Sequence, residues 1–153
     1  MSHSKRLSES LADLVGRRLD DVNLACEMML FSFGEFELHA QCMTRIVNKQ
    51  DILTTTTDHQ SWDGVCEQNN DEWYFVEQHK SAVIGGRVTS AEISVWNDVT
   101  VVLDNDVQIQ LFVSNGYSHY GEEKEQWVFF KRHDHKYPFI TVYSKSVEIA
   151  NEW

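Results

Sequence analysis

Proline appears once in this 153-residue chain, at Pro138, and no Ser/Gly/Pro-rich stretch interrupts it. Freely tethered domains need such a linker, so the sequence reads as one domain over residues 1–153. Long apolar runs are missing too. Nothing approaches the roughly 18 consecutive apolar residues that cross a bilayer, and the polar, amphipathic start, Met1 to Leu14, has no signal-peptide core. A protein made and kept in the cytosol is the expectation. Cysteine is scarce: Cys26, Cys42 and Cys66 form an odd set without a C-x-x-C pair. That suits a reducing compartment and excludes a disulfide framework. Cys26 and Cys42 fall in apolar alternating segments and are expected to be buried thiols.

Basic residues are nearly absent from the middle of the chain. Residues 50–123 hold Lys80 and Arg87 against thirteen acids, which accounts for the whole net charge of −11, because the two ends are close to neutral. Such a field repels nucleic acid and anionic membranes and accelerates association with a basic partner. No direct nucleic-acid or membrane role is therefore expected. Motifs for phosphate, dinucleotide, acyl-transfer or metalloprotease chemistry are also missing. This shifts the reading from enzyme to binder, with no cofactor.

What is present is a globular composition, 42% hydrophobic and 12% aromatic, and an internal echo. Leu14-Val15-Gly16-Arg17-Arg18-Leu19 parallels Val83-Ile84-Gly85-Gly86-Arg87-Val88 at an offset of 69. Further on, the alternating run Phe36 to Cys42 parallels Val107 to Val113 at an offset of 71. Before the first glycine, Leu7, Leu11, Leu14 and Val15 share one helical face; before the second, Trp73, Val76 and Lys80 do so, with Asn69 or Asn70 as N-cap. Each glycine suits the left-handed position that ends a helix. The Arg of each Gly-x-Arg corner would then face a helix C-terminus and its dipole.

Gly34-Glu35 between Phe33 and Phe36 suits a two-residue type II′ turn, and Asp104-Asn105-Asp106 suits a longer hairpin. Strands are expected around both turns. Others are expected at Arg45 to Val47, Ile52 to Thr57, Trp127 to Lys131 and Phe139 to Ser144. On the third strand Phe36, Leu38, Ala40 and Cys42 would face inward, and Glu37, His39 and Gln41 outward. The fold class is α+β, predominantly antiparallel. Two similar helix-plus-meander units, about 5–57 and 70–144, are packed side by side in one domain.

Two segments escape the echo, 58–70 and 114–126, and each combines acids with aromatics. The first carries Asp58, Trp62, Asp63 and Glu67 and leads into Asp71 and Glu72; the second carries Tyr117, Tyr120, Glu122 and Glu123. Loops this long are often functional, and aromatics flanked by charges are the composition of interface hot spots. Other candidates are weaker. His133-Asp134-His135 could begin a metal site, but Lys131, Arg132 and Lys136 oppose a cation, so it reads as a solvated hairpin turn. Asp58-His59 with Cys66 could form a nucleophilic pair, yet the acidic surroundings would raise the thiol pKa. Adjacent acids such as Asp20-Asp21 point to opposite sides of a strand and make no dyad. Gly85-Gly86 follows a helix, whereas a phosphate loop precedes one. Phe31, Phe33, Phe36, Phe129, Phe130 and Phe139 sit in strand patterns and are expected in the core.

A small acidic α+β chain with a doubled Gly-x-Arg corner, the aromatic strand Trp127-Val128-Phe129-Phe130 and no active-site motif resembles the immunity proteins of bacterial toxin systems. The closest in character guard against contact-dependent growth inhibition toxins. The resemblance covers most of the chain in outline and transfers no individual residue. It implies a cognate basic toxin domain as partner, often a nuclease, whose active site is covered by the inhibitor. Asp58, Asp63, Glu67, Asp71, Glu72, Glu122 and Glu123 would then stand in for phosphates, with Trp62, Tyr117 and Tyr120 as anchors. Two alternatives remain at this point. One is a small-molecule-binding protein or hydrolytic enzyme with a His/carboxylate pocket between the units, using His39, His133 or His135. The other is a homo-oligomeric module pairing strand edges.

Overall fold

In the computed structural model, which describes residues 3–25, 27–59, 65, 71–115 and 123–150, the alternating segments pair into two antiparallel sheets. Helix α1 (His3–Ala12) is followed by β1 (Asp21–Ala25), β2 (Met28–Phe33), β3 (Phe36–Ala40), β4 (Met43–Val47) and β5 (Ile52–Thr55). Three short helices come next, α2 (Thr56–His59), α3 (Asp71–Gln78) and α4 (Lys80–Val83). The chain continues through β6 (Val88–Ile93), β7 (Val99–Leu103), β8 (Gln108–Phe112), β9 (Glu125–Lys131), β10 (Phe139–Tyr143) and β11 (Val147–Ala150). The α+β, antiparallel-rich class expected from the sequence is the class observed. One sheet has six strands in the order β1-β2-β3-β9-β10-β11, the other five in the order β5-β4-β8-β7-β6. Among the described residues no helix is long and apolar enough to cross a membrane.

Both predicted hairpins form for the expected reasons. Phe33 pairs with Phe36 around a two-residue turn in which Gly34 alone has positive φ (65°), the signature of type II′. Between β7 and β8 the third loop residue, Asp106, takes φ 69° while the Leu103 amide donates to the Val107 carbonyl at 2.9 Å. This is the three-residue turn with its left-handed last position. The strand expected to run to Thr57 stops at Thr55, where Thr55 and Asp58 cap α2, and the sequence patterns did not reveal β11.

The units are not side by side; each sheet takes strands from both halves of the chain. β1-β2-β3 forms one side of the six-stranded sheet, and the chain then crosses over so that β4-β5 completes the other. The second half does the reverse, laying down β6-β7-β8 and returning with β9-β10-β11. The join is made by the repeated corner itself. Gly16 N–H donates to the Val88 carbonyl (2.8 Å) and Gly85 N–H to the Leu19 carbonyl (2.7 Å). Leu19 N–H likewise donates to Gly86 and Val88 N–H to Arg17, both at 2.8 Å. A shift of 69 residues exchanges the members of each pair, as around a local twofold axis through the Arg18–Arg87 bridge. Gly16 and Gly85 take φ of 86° and 96°, which glycine adopts without a Cβ clash. Arg87 Nη1 donates to the Gly16 carbonyl at 3.1 Å, so this arginine serves the end of the other unit's helical segment instead of its own.

The inner faces of both sheets and α1 share one core, in which Leu7, Leu11, Leu14, Phe31, Phe129 and Trp127 are fully buried. Val15 leaves the expected apolar face and is half-exposed. After Ala12 the helix tightens into i→i−3 bonds, Leu14 N–H to Leu11 and Val15 N–H to Ala12, which rotates the following side chain outward. The second helical face differs more. α3 and α4 are separated at His79, so the Trp73-Val76-Lys80 spacing does not carry through. Phe75 and Val83 are buried, Val76 is exposed, and Lys80 Nζ pairs with Asp21 Oδ1 at 2.8 Å; the Trp73 side chain lies outside the described residues.

Candidate functional site

Strand register decides where the two acid-aromatic segments begin. Arg45 on β4 pairs with Thr55 on β5 and with Gln110 on β8, so these three residues form one row across the five-stranded sheet. β5 and β8 both run antiparallel to β4 and are therefore parallel to each other, and both strands leave the sheet at the same end. The segments that follow, 58–70 and 114–126, start from that end. The β6–β7 turn also lies there, since Ile93, Val99, Leu111 and Thr44 form the neighbouring row.

Four of the predicted residues fall among the described ones, Asp58 and Glu123 with their side chains and Asp71 and Glu72 by their backbone. Asp58 is exposed on α2, where Thr55 Oγ1 donates to its Oδ2 at 2.8 Å and its amide donates to Thr55 Oγ1 at 3.1 Å. This reciprocal cap commits the Asp58 carboxylate to local structure in addition to any partner. Glu123 is exposed and accepts from Lys145 N–H (3.1 Å) and Ser146 Oγ (2.8 Å), clasping the β10–β11 turn. Asp71 opens α3 with Glu72 next to it, which places both on the helix that contacts β5. The side chains of Asp71 and Glu72 lie outside the described residues, as do Trp62, Asp63, Glu67, Tyr117, Tyr120 and Glu122, together with Cys26, Cys66 and the N-cap candidates Asn69 and Asn70.

The roots of the second segment are pinned by a residue the sequence reading passed over. Gln126, 1% exposed, accepts on Oε1 from Ser114 N–H (2.8 Å) and Ser114 Oγ (3.2 Å). Its Nε2 donates to the Lys124 carbonyl and to Ser144 Oγ, both at 3.2 Å, and its carbonyl accepts from Gln41 and Cys42 N–H. Both ends of the 114–126 segment are thereby tied to one buried amide. Gln41 Nε2 also donates to Glu125 Oε2. Beside this root lies an open cleft of about 410 Å³ lined by Val95, Trp96, Val113, Ser114, Ser144 and Lys145, among others.

The β6–β7 turn is the second feature the sequence reading missed. Ser94 Oγ accepts from Trp96 and Asp98 N–H at 3.1 Å each, and Asn97 takes φ 67°. The turn is bolted to the core from behind: Trp127 Nε1 donates to the Asn97 carbonyl at 2.9 Å and Val113 N–H to Asp98 Oδ1 at 2.7 Å. At its tip Val95 is 86% and Trp96 73% exposed. The available signal was an apolar pair, Val95-Trp96, directly before the turn dipeptide Asn97-Asp98, where polar residues are usual.

The His/carboxylate candidates lie elsewhere. Phe130 and Phe139, expected in the core, are on the outer face of the six-stranded sheet, stacked at 4.9 Å, with His39 edge-on to Phe130 at 5.2 Å. Phe130 pairs in register with Glu37, the outward residue next to inward Leu38, which explains the reversal. Glu37, expected on the outward face, is 9% exposed; Oε1 lies 3.3 Å from His39 Nε2, and the buried Oε2 has no hydrogen bond and sits 4.0 Å from Arg132 Nε. His133 and His135 are exposed in the β9–β10 turn, His133 with φ 60°. They border a cleft of about 290 Å³ lined wholly by residues 130–139, so it does not lie between the two halves of the chain. Among the described residues no three metal-ligating side chains come together.

Protonation follows burial and contact. Cys42 is buried, and desolvation pushes its thiol up to about 12, leaving it protonated and unreactive at neutral pH. Burial also raises the Tyr137 hydroxyl, which donates to Asp13 Oδ2 at 2.8 Å. The hydrogen bond from Lys80 holds Asp21 below its usual range, and the Lys136 amide does the same for Asp134. No family model, curated protein or solved structure matches the chain.

Proposed function

We propose that this chain is a non-catalytic inhibitor of the immunity-protein type, acting in the bacterial cytosol on a basic toxin domain, most simply a nuclease. The observation that carries the reading is that β5 and β8, the strands leading into the two acid-aromatic segments, leave the five-stranded sheet at the same end, in the part of the chain that holds the entire net charge of −11. A nuclease cleft presents Lys and Arg side chains to phosphates, and carboxylates on closely spaced loops can occupy the same positions. Asp63, Glu67, Glu122 and Glu123 are the residues assigned to that role. Fixed loop roots, here held by Gln126 and Glu123, reduce the ordering cost of binding. The excess negative charge steers encounter with a cationic surface, an effect that weakens as salt screens it.

The test is binding to the purified, catalytically inactivated product of the adjacent upstream reading frame. Association measured at low and high salt should slow by about tenfold or more between 50 and 500 mM. The combined variant Asp63→Lys, Glu67→Lys, Glu122→Lys, Glu123→Lys should associate at least about tenfold more slowly and lose most of the salt dependence. Unchanged binding by that variant removes the surface assignment. Absence of any interaction with the wild-type chain removes the inhibitor reading itself.

A further inference from the structure

We infer that Trp96, with Val95 beside it, is the apolar anchor of this binding end, seated in an apolar pocket of the basic protein partner. The inference rests on the binding role proposed above and adds to it the group that sets the lifetime of the complex.

The fold uses the Ser94 hydroxyl, the Asn97 backbone and the Asp98 carboxylate to build and anchor the β6–β7 turn. Ser94 closes it, Asn97 supplies the left-handed residue, and Asp98 and the Asn97 carbonyl tie it to Val113 and Trp127. The side chains of Val95 and Trp96 are left 86% and 73% exposed, at a position where small polar residues would build the same turn. An isolated exposed apolar residue is ordinary, but a Trp-Val pair on a backbone held at both ends is preorganised. Little freedom remains to be lost when it docks, and tryptophan is among the residues that most often dominate binding energy.

Its surroundings point to the same partner as the acidic segments do. The cleft of about 410 Å³ beside Trp96 is floored by Val113 and Ser114, the residues from which segment 114–126 departs, and bordered by Lys145, whose amide Glu123 holds. The exposed apolar pair Val95-Trp96 and the Glu123 carboxylate, which holds the Lys145 amide, therefore both border this cleft. A partner that matches it has an apolar pocket rimmed by Lys or Arg; the rim pairs with the acids and stacks on the exposed indole. The two sets of residues divide the kinetics: charges govern association, and the buried anchor governs dissociation.

The experiment measures association and dissociation rates of wild type, Trp96→Ala, Trp96→Phe, Val95→Ser and the fourfold charge-reversal variant on the same immobilised, inactivated upstream-frame product. Melting curves confirm folding, and light scattering gives the solution mass. Trp96→Ala should dissociate at least about 30-fold faster, with association within about threefold of wild type and an unchanged melting temperature. Trp96→Phe should recover part of the loss, and it keeps the comparison intact should the alanine variant fold poorly. Charge reversal that weakens binding while Trp96→Ala and Trp96→Phe match wild type overturns the anchor and leaves the inhibitor reading standing. Loss of a wild-type dimer in Trp96→Ala, with toxin binding unchanged, also overturns it, because the occupant is then a second copy of this chain. Failure of wild type to bind at all removes both.

Discussion

Replacing Gln126 with methionine tests whether one buried amide holds the binding end together. The substitution keeps length and approximate volume but deletes four hydrogen bonds, from Ser114 N–H, Ser114 Oγ, to the Lys124 carbonyl and to Ser144 Oγ, at 2.8 to 3.2 Å. At about 1 kcal/mol each the ceiling is about 4 kcal/mol. Ser114 is exposed and Ser144 half-buried, so water recovers part of their bonding, and the methionine side chain adds apolar burial. The expected cost is about 2 kcal/mol, or a fall in melting temperature of about 4 to 8 °C for a chain of this size. Urea unfolding followed by tryptophan fluorescence measures the cost, and hydrogen exchange at the Ser114 amide reports the local effect. Gln50→Met, at an exposed turn position, should stay within about 0.5 kcal/mol of wild type. A Gln126→Met cost below about 0.5 kcal/mol, with Ser114 protection unchanged, would refute the assignment of Gln126 as the tie between both loop roots.

Two further outcomes follow from protonation. Cys42 in the native protein should resist thiol labelling at pH 8, reacting only at the rate of unfolding, as read by mass mapping of the labelled peptide; prompt native-state labelling would contradict its burial. Its raised folded pKa gives stability that is complete below the unfolded value near 9.0 and is lost as pH climbs toward about 12. Unfolding free energy should thus fall by about 1 kcal/mol between pH 8 and 10, with a shallower slope in Cys42→Ala. Asp21 has the opposite sign. Its depressed folded pKa gives stability present above the unfolded value of 3.8 and lost as pH falls through the lower folded value. Because its side chain is 43% exposed and screened by solvent, the effect is under about 1 kcal/mol. Asp21→Asn should flatten the acid limb of the stability profile by that amount, and an identical limb in both proteins would exclude the Lys80 contact as its source.

Local features were readable because local chemistry decides them. The type II′ turn at Gly34-Glu35, the left-handed Gly16 and Gly85, the apolar stripe of Leu7, Leu11 and Leu14, and the buried thiol of Cys42 all follow from φ preference or from period. Misreadings occurred where a neighbour in space overrode the pattern. Phe130 reads as core until its register opposite Glu37 puts it on the outer face, and Val76 reads as buried until α3 packs with Phe75 inward and leaves its neighbour exposed. Of the candidate site, composition exposed the acids and aromatics of the two long segments. It gave no weight to Gln126 or Trp96, since a glutamine early in one strand and a tryptophan in a turn have no periodic signature.

The amino-acid sequence by itself determined the antiparallel α+β class, the two echoing glycine corners and the confinement of the charge to residues 50–123, all of which depend on residue type and short-range spacing. Only the tertiary structure decided that each half sends strands into the other's sheet, because the pairing of β3 with β9 and of β8 with β4 joins residues more than sixty positions apart. The same long-range register sets the strand ends that lead into the two acid-aromatic segments beside the turn that carries Trp96. Which edges meet is a matter of core burial summed over both sheets, a quantity no local window contains.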